Sequence, residues 1–259
     1  MRNCYLIAKK ELQSYFTSPV AYVVITIFLI ITGYFFYNLF ASFSTLSFQA
    51  SANPALAKQR NLLNVTETVI RPLFGNMSII MLLMMPLLTM RLFSEEKKSG
   101  TIELLLTYPI SDMEVIIGKF VACTTVFILM LSASITCPIL VMVFGEPETG
   151  PIITGYLGLF LMGSAFISLG IFTSSITENQ IVAATLSFGV LFLFWMMGYS
   201  VSFMGPTLGR IIMSISLIGH IEGFAKGVID TTDIIYYLIF SSLFIFLTLR
   251  VMESKKWRG

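Results

Sequence analysis

Side chains able to do acid–base, nucleophilic or metal chemistry are few and scattered in this chain. The one histidine, His220, has no HExxH pattern around it, so neither a zinc-binding pair nor its general base is in place. Ser164 and Ser168 stand at i, i+4 spacing, repeated by Gly170 and Ser174, but no base accompanies them. Small residues at that spacing are what helices in lipid use to approach one another closely. Cys4, Cys123 and Cys137 lack CxxC spacing. The last two lie 14 residues apart on one predicted helix, which separates them by ~21 Å, beyond a disulfide's reach. Small apolar fillers is their reading. Gly118-Lys119 is followed by Phe120 and lacks the earlier glycine of GxxxxGK[ST], so the sequence offers no phosphate loop with which to hydrolyse ATP. No catalytic residue, metal ligand or cofactor of its own is expected of the chain.

Polar residues are densest from Arg91 to Ser111. Gly100 permits a sharp turn, Thr101 can cap a short helix by accepting backbone N–H bonds, and Pro109 discourages its continuation. Over the two predicted turns, Ile102, Leu105 and Leu106 form an apolar stripe, with Glu103 and Thr107 on another face. Such a helix suits a soluble partner; a charged connector lying on lipid headgroups is the plainer alternative. Ser111 and Glu114 then match the S-x-x-E capping box of a helix that continues past Lys119. At the N-terminus, Tyr5, Ala8, Leu12 and Phe16 fall at helical spacing, with Lys9, Lys10 and Gln13 off that stripe, before Ser18-Pro19. This predicts an interfacial helix along the inner leaflet, its lysines meeting anionic membrane lipid.

What positions these residues is set by composition. Of 259 residues, 12% are charged and 56% hydrophobic, against roughly 25% charged in a soluble domain. So few polar groups cannot cover that much apolar surface in water. Disorder needs low hydrophobicity, and a nucleic-acid partner needs clustered positive charge rather than a formal +2; both are excluded. Lys9, Lys10 and Glu11 break any apolar signal-peptide core, so the first residues are expected to be retained. Charge-free windows locate six spans, at about 19–41, 72–90, 120–144, 152–176, 181–203 and 234–249, within a single all-α membrane domain. The last is short enough that it must extend past Asp233 or Arg250. No window holds an ionisable residue at membrane depth, which disfavours a proton relay. With both termini inside, eleven of the sixteen Lys and Arg fall on the cytoplasmic side. The segment 204–233 is too apolar for a plain loop. Arg210, His220, Glu222, Lys226, Asp230 and Asp233 make it too polar to cross twice, so outer re-entrant or interfacial helices are expected there.

Together these features resemble the membrane subunit of ABC transporters of the ABC-2 type, over nearly the whole chain. The most specific likeness is Glu95-Glu96-Lys97-Lys98-Ser99-Gly100-Thr101-Ile102-Glu103-Leu104-Leu105-Leu106, with Pro109-Ile110-Ser111 and Gly118-Lys119, which looks like the family's first inner loop. Lys10-Glu11-Leu12 with Ser18-Pro19, Glu178-Asn179-Gln180-Ile181-Val182-Ala183, and Gly227-Val228-Ile229-Asp230 with Asp233-Ile234-Ile235-Tyr236 resemble the gliding-motility-associated permease branch. The resemblance implies a non-enzymatic permease of the bacterial inner membrane. It would pair with itself or a sister permease and bind two copies of a separate ATPase, which holds the ATP and Mg. Ile102 to Thr107, including Leu105 and Leu106, would be the coupling helix that docks the ATPase. Glu95, Glu96 and Glu103 would be its polar contacts, with Gly100, Thr101 and Pro109 shaping it. The interfacial helix bearing Lys9, Lys10, Glu11 and Leu12 would flank that contact, and the segment with His220, Glu222, Lys226 and Asp230 would gate the exit. A nontransporting membrane anchor for an ATPase in an envelope or motility machine is the alternative function.

Overall fold

A backbone surrounded by lipid must close its hydrogen bonds within each segment, and every regular element among the described residues is helical. The structure is a computed structural model that describes residues 2–52, 64–101, 110–145, 147–200 and 205–256. Six of its helical runs are long and apolar enough to cross a membrane. In chain order, α1 (Arg2–Thr17) precedes α2 (Val20–Ala52), and a π-helical turn (Thr66–Ile70) leads into α3 (Arg71–Thr89) and α4 (Arg91–Lys98). Then come α5 (Asp112–Ser134), α6 (Thr136–Phe144), α7 (Thr149–Ile176), α8 (Gln180–Ser200), α9 (Pro206–Ile215), α10 (Ile221–Ala225) and α11 (Thr231–Lys256).

The middle of the bundle is α7, which lies against α3, α5, α8, α10 and α11. Its small residues explain the position. A Cβ on Gly155 would sit 2.2 Å from the Phe74 ring, on Gly158 2.7 Å from Phe224, on Gly163 2.2 Å from Phe127, and on Gly170 2.0 Å from the Thr89 hydroxyl. Each glycine is therefore the floor of a close crossing, Gly155 and Gly170 with α3, Gly158 with α10 and Gly163 with α5, and the serine and glycine stripe of this span is a packing surface. Helices α2, α8 and α11 sit at the periphery and turn much of their apolar surface outward.

Two expected spans differ in form. The third is not one helix but two: the ladder breaks at Ile135, and Pro138, which has no N–H to donate, sits in the first turn of α6. The first runs well past Ala41, since α2 has 33 residues and is ~50 Å long. Along its polar continuation Ser42, Thr45 and Ser51 satisfy their hydroxyls by bonding back to carbonyls three or four residues earlier. The short sixth span likewise extends in both directions as α11, through Asp233 and Arg250.

Candidate functional site

At one end of the bundle, α1, α4 and the first turns of α5 form a polar assembly organised by Lys119. This lysine is fully buried. Its Nζ donates to Glu11 Oε1 at 2.8 Å and to the Leu92 carbonyl at 2.6 Å, lies 3.0 Å from Glu96 Oε1, and stands 5.0 Å from the centre of the Phe93 ring. An ammonium has three protons, and these three acceptors account for all of them. One buried cation thus ties α1 through Glu11 and α4 through Glu96 and Leu92 to the helix that carries it. Gly118 lets α1 come close enough: a Cβ there would lie 2.8 Å from Ile7 Cγ2 and 3.1 Å from the Cys4 carbonyl. Asn3 adds a bond to Glu114 at 3.2 Å, and Ser111 caps α5 by accepting from the Glu114 N–H at 3.3 Å, the expected capping position.

The aromatic side of the same assembly is equally fixed. Tyr15 is buried and donates to the Leu88 carbonyl at 2.7 Å, beneath the Arg91 guanidinium, which lies 4.7 Å from its ring centre. Burial pushes the Tyr15 hydroxyl well above its ordinary range, so it serves as a neutral donor. The buried face of α1 is thereby Ala8 and Tyr15, flanked by the half-buried Ile7, Glu11 and Leu12. Tyr5 and Phe16, expected on one stripe with Ala8 and Leu12, are exposed beside Lys9 instead. Lys10 reaches across to Glu96 at 3.4 Å.

On its other flank α4 is held by the C-terminal end of α7. Where the helix breaks at Met90, the Ser174 hydroxyl accepts from the Phe93 N–H at 3.0 Å and the Ser94 N–H at 3.1 Å, and donates to the Met90 carbonyl at 2.8 Å. A side chain has entered the helical ladder, which is one of the recognised causes of a helix kink. Lys97, also buried, donates to the Ser175 carbonyl, where a cation meets the negative end of the α7 dipole.

Past Lys98 the chain turns at Gly100, whose φ of 71° is a conformation glycine adopts without strain. The Thr101 hydroxyl folds back onto the Glu96 carbonyl at 3.3 Å and contacts Ser99 Oγ at 2.8 Å. Ile102, Glu103, Leu105, Leu106, Thr107 and Pro109 lie outside the described residues. Of the expected polar contacts, Glu95 is exposed. Glu96 is mostly enclosed, with Oε1 committed to the lysines and Oε2 without a hydrogen-bond partner. A cleft of about 200 Å³ opens between Lys10, Glu11, Arg91 and Glu95, and a larger one of about 510 Å³ separates Lys98 from residues 178–181.

At the opposite end, the structure divides the expected gate residues. His220 is buried with Nδ1 2.6 Å from Asp233 Oδ1, Nε2 3.1 Å from the Ser214 carbonyl, and its ring stacked on Tyr236 at 4.0 Å. Both ring nitrogens face acceptors and neither faces a nucleophile, so this histidine holds α9, α10 and α11 together rather than activating a serine. Tyr236 and Tyr237 strengthen the same junction through the carbonyls of Ile215 and Leu217, at 2.5 and 2.8 Å. Asp230 opens α11 by accepting from the Thr232 N–H at 2.9 Å, and the donors of Thr232 hold its carboxyl below the usual range. Glu222 and Lys226 form an exposed pair 3.4 Å apart along α10. Thr154 ties α10 to α7 by donating to the Phe224 carbonyl at 2.6 Å.

Against known families, a model described as ABC-2 family transporter protein matches residues 5–256. The chain belongs to the ABC-2 transporter family. No curated protein matches it significantly. As an ABC-2 permease it is a multi-pass, all-helical membrane subunit of a transporter, of a family whose permeases work with an ABC ATPase. Lys119 and Ser174 organise its polar end, although the sequence marks the first only as part of the Gly118-Lys119 likeness and the second only as a packing position. Ser174 has its partners on α4 some 80 residues away and Lys119 reaches Glu11 108 residues away, beyond any local pattern.

Proposed function

We propose that this chain is the permease of an ATP-driven exporter of the bacterial inner membrane, with both termini cytoplasmic and no nucleotide site of its own. Two copies of a separate ABC ATPase bind the ATP and Mg. They dock on Ile102 to Thr107, shaped by Gly100 and Pro109, with Ile102, Leu105 and Leu106 as the apolar contact and Glu95, Glu96 and Glu103 as polar ones. A second copy or a sister permease completes the complex, which belongs with the gliding-motility-associated permeases of the family. ATP-driven closure pushes the docking segment and shifts the spans between two discrete packings, with 204–233 as the exit gate.

The observation that supports this reading best is the anchoring around the segment. The helix that leads into it, α4, is fixed on one side by the buried Lys119 and on the other, against α7, by Ser174 and its own buried Lys97, and the helix that leaves it, α5, carries Lys119. A charged connector drifting over lipid headgroups has no use for two buried cations. The charge-free spans and the absence of GxxxxGK[ST] fit an external source of energy. The direct experiment is co-purification from membranes. Glu103→Lys and Leu105→Asp should each leave membrane insertion intact and release the ATPase in mild detergent. Full ATPase retention in both variants defeats the assignment of the docking segment.

A further inference from the structure

The three ties on α4 are not equivalent. Lys119 holds α4 to α1 and α5. Ser174 and Lys97 hold it to α7, the central span. The break at Met90 retains helical dihedrals, φ −53° and ψ −33°, so the chain there is one helix whose ladder has been opened by a foreign hydroxyl. Ser94 N–H, which in an unbroken helix would donate to the Met90 carbonyl, donates to Ser174 Oγ, and that carbonyl accepts from Ser174 and Ser94 hydroxyls instead. Two arrangements of the same backbone groups are therefore available, one pinned by Ser174 and one closed on itself, each satisfying its donors. Gly170, one turn earlier on α7, makes room for Thr89 against the same break. Beyond the pin, the last turn of α4 borders open space: the cleft of about 510 Å³ lies between Lys98 and residues 178–181.

We infer that Ser174 is the pivot of α4, a positioning residue through which a load on the docking segment turns α4 toward the 178–181 cleft and reaches the central span α7. This rests on the proposed docking of an ATPase at the segment that follows α4. In the absence of the pin, the ladder closes, α4 becomes a rigid extension of α3, and movement of the docking segment no longer reaches α7.

The test places nitroxide labels across the cleft, at Lys98→Cys and Glu178→Cys, in a chain whose Cys4, Cys123 and Cys137 have been replaced, purified together with its ATPase. Distances are measured by pulsed electron paramagnetic resonance without nucleotide and with ATP and orthovanadate. In the otherwise unaltered protein the 98–178 distance distribution shifts between the two states. Ser174→Ala abolishes the shift while the ATPase still co-purifies, and Lys97→Met, which removes the neighbouring tie, reduces it. Ser168→Ala is the control, because it deletes an equally buried hydroxyl bonded to Ala165 within α7, and it leaves the shift intact. An undiminished shift in Ser174→Ala, or an equal loss in Ser168→Ala, overturns the pivot and leaves the docking proposal standing. If Ser174→Ala does not insert, an undiminished shift in Lys97→Met decides against the pivot. Failure of any ATPase to co-purify with the unaltered chain defeats the docking proposal itself, and the pivot with it.

Discussion

At the scale of single residues, the sharpest asymmetry is between Lys119 and Lys10, which both reach the same Glu96 oxygen. Lys10 is exposed and 3.4 Å away, so water replaces what it loses. Lys119 is buried between Glu11 and Glu96, and its removal leaves the largely enclosed Glu11 carboxylate and the Leu92 carbonyl without their cation and Glu96 with the exposed Lys10 alone. Breaking a buried ion pair from one side costs ~3–5 kcal/mol, whereas an exposed pair contributes ~0–1 kcal/mol. Lys119→Met should therefore lower the detergent-solubilised unfolding midpoint markedly and Lys10→Met scarcely at all, as read by fluorescence-monitored thermal unfolding; equal effects would mean that the cation is dispensable. At the other end His220 offers an unusually clean probe, being the only imidazole in the chain. Its bond to Asp233 has a charged acceptor, and such bonds contribute ~1.5–3 kcal/mol. Asp233→Asn should raise the rate of His220 acylation by diethyl pyrocarbonate by at least ~10-fold, because each 1.4 kcal/mol lost from local closure is a tenfold gain in the open form. An unchanged rate in the variant would show that Asp233 does not hold the ring.

At the scale of elements, the decisive helix is α7, and its glycines make a prediction that composition alone does not. Gly155 and Gly163 each stand 2.2 Å, in the Cβ sense, from an aromatic ring, while nothing lies within 4 Å of that position on Gly189. Gly155→Ala and Gly163→Ala should each cost ~1–3 kcal/mol through overpacking. Gly189→Ala, in α8, should be neutral or stabilising by up to ~1 kcal/mol, since alanine is the better helix former. Unfolding midpoints of the three variants check this, and a loss at Gly189 equal to the other two would count against the crossings described. The six spans themselves were legible in the sequence because charge excludes a residue from lipid so strongly that empty windows mark the crossings. Their ends were not. Serine and threonine satisfy themselves within a helix, and α2 runs on through Ser42, Thr45 and Ser51 with no composition signal. Pro138, apolar and uncharged, passes a hydropathy window and still breaks the third span. In the polar assembly, the local features were readable: the cap at Ser111 and the turn at Gly100. The long-range ones were not, because nothing near Lys119 announces Glu11, nothing near Ser174 announces Phe93, and nothing near His220 singles out Asp233.

At the scale of the whole molecule, the question is which way the permease faces, and the fold sharpens the charge argument that the sequence raised. The starts of α3 and α7 lie together, since the Glu148 N–H donates to Thr66 Oγ1 at 3.0 Å, and the approach to α11 joins them where Thr154 meets Phe224. From there α7 and α11 run side by side, with Phe172 against Phe244, toward the end that bears α1 and α4. Among the described residues, this gathers Lys9, Lys10, Arg91, Lys97, Lys98, Lys119 and Arg250 at one end, and Arg71, Arg210 and Lys226 at the other. Retention of positive residues on the cytoplasmic side depends on Lys and Arg near span ends and hardly on Asp and Glu, so the neutralising carboxylates around Lys119 do not weaken the bias. The α1 and α4 end should face the cytoplasm, which is also the only side on which ATP is available to a docked motor. In a cysteine-free background, Lys226→Cys should react with a membrane-impermeant maleimide in cells with a permeabilised outer envelope, and Lys98→Cys only after the inner membrane is opened. A reporter fused after Gly259 should be active solely in the cytoplasm. Labelling of Lys98→Cys from outside would reverse the orientation and, with it, remove the docking segment from the reach of any ATPase.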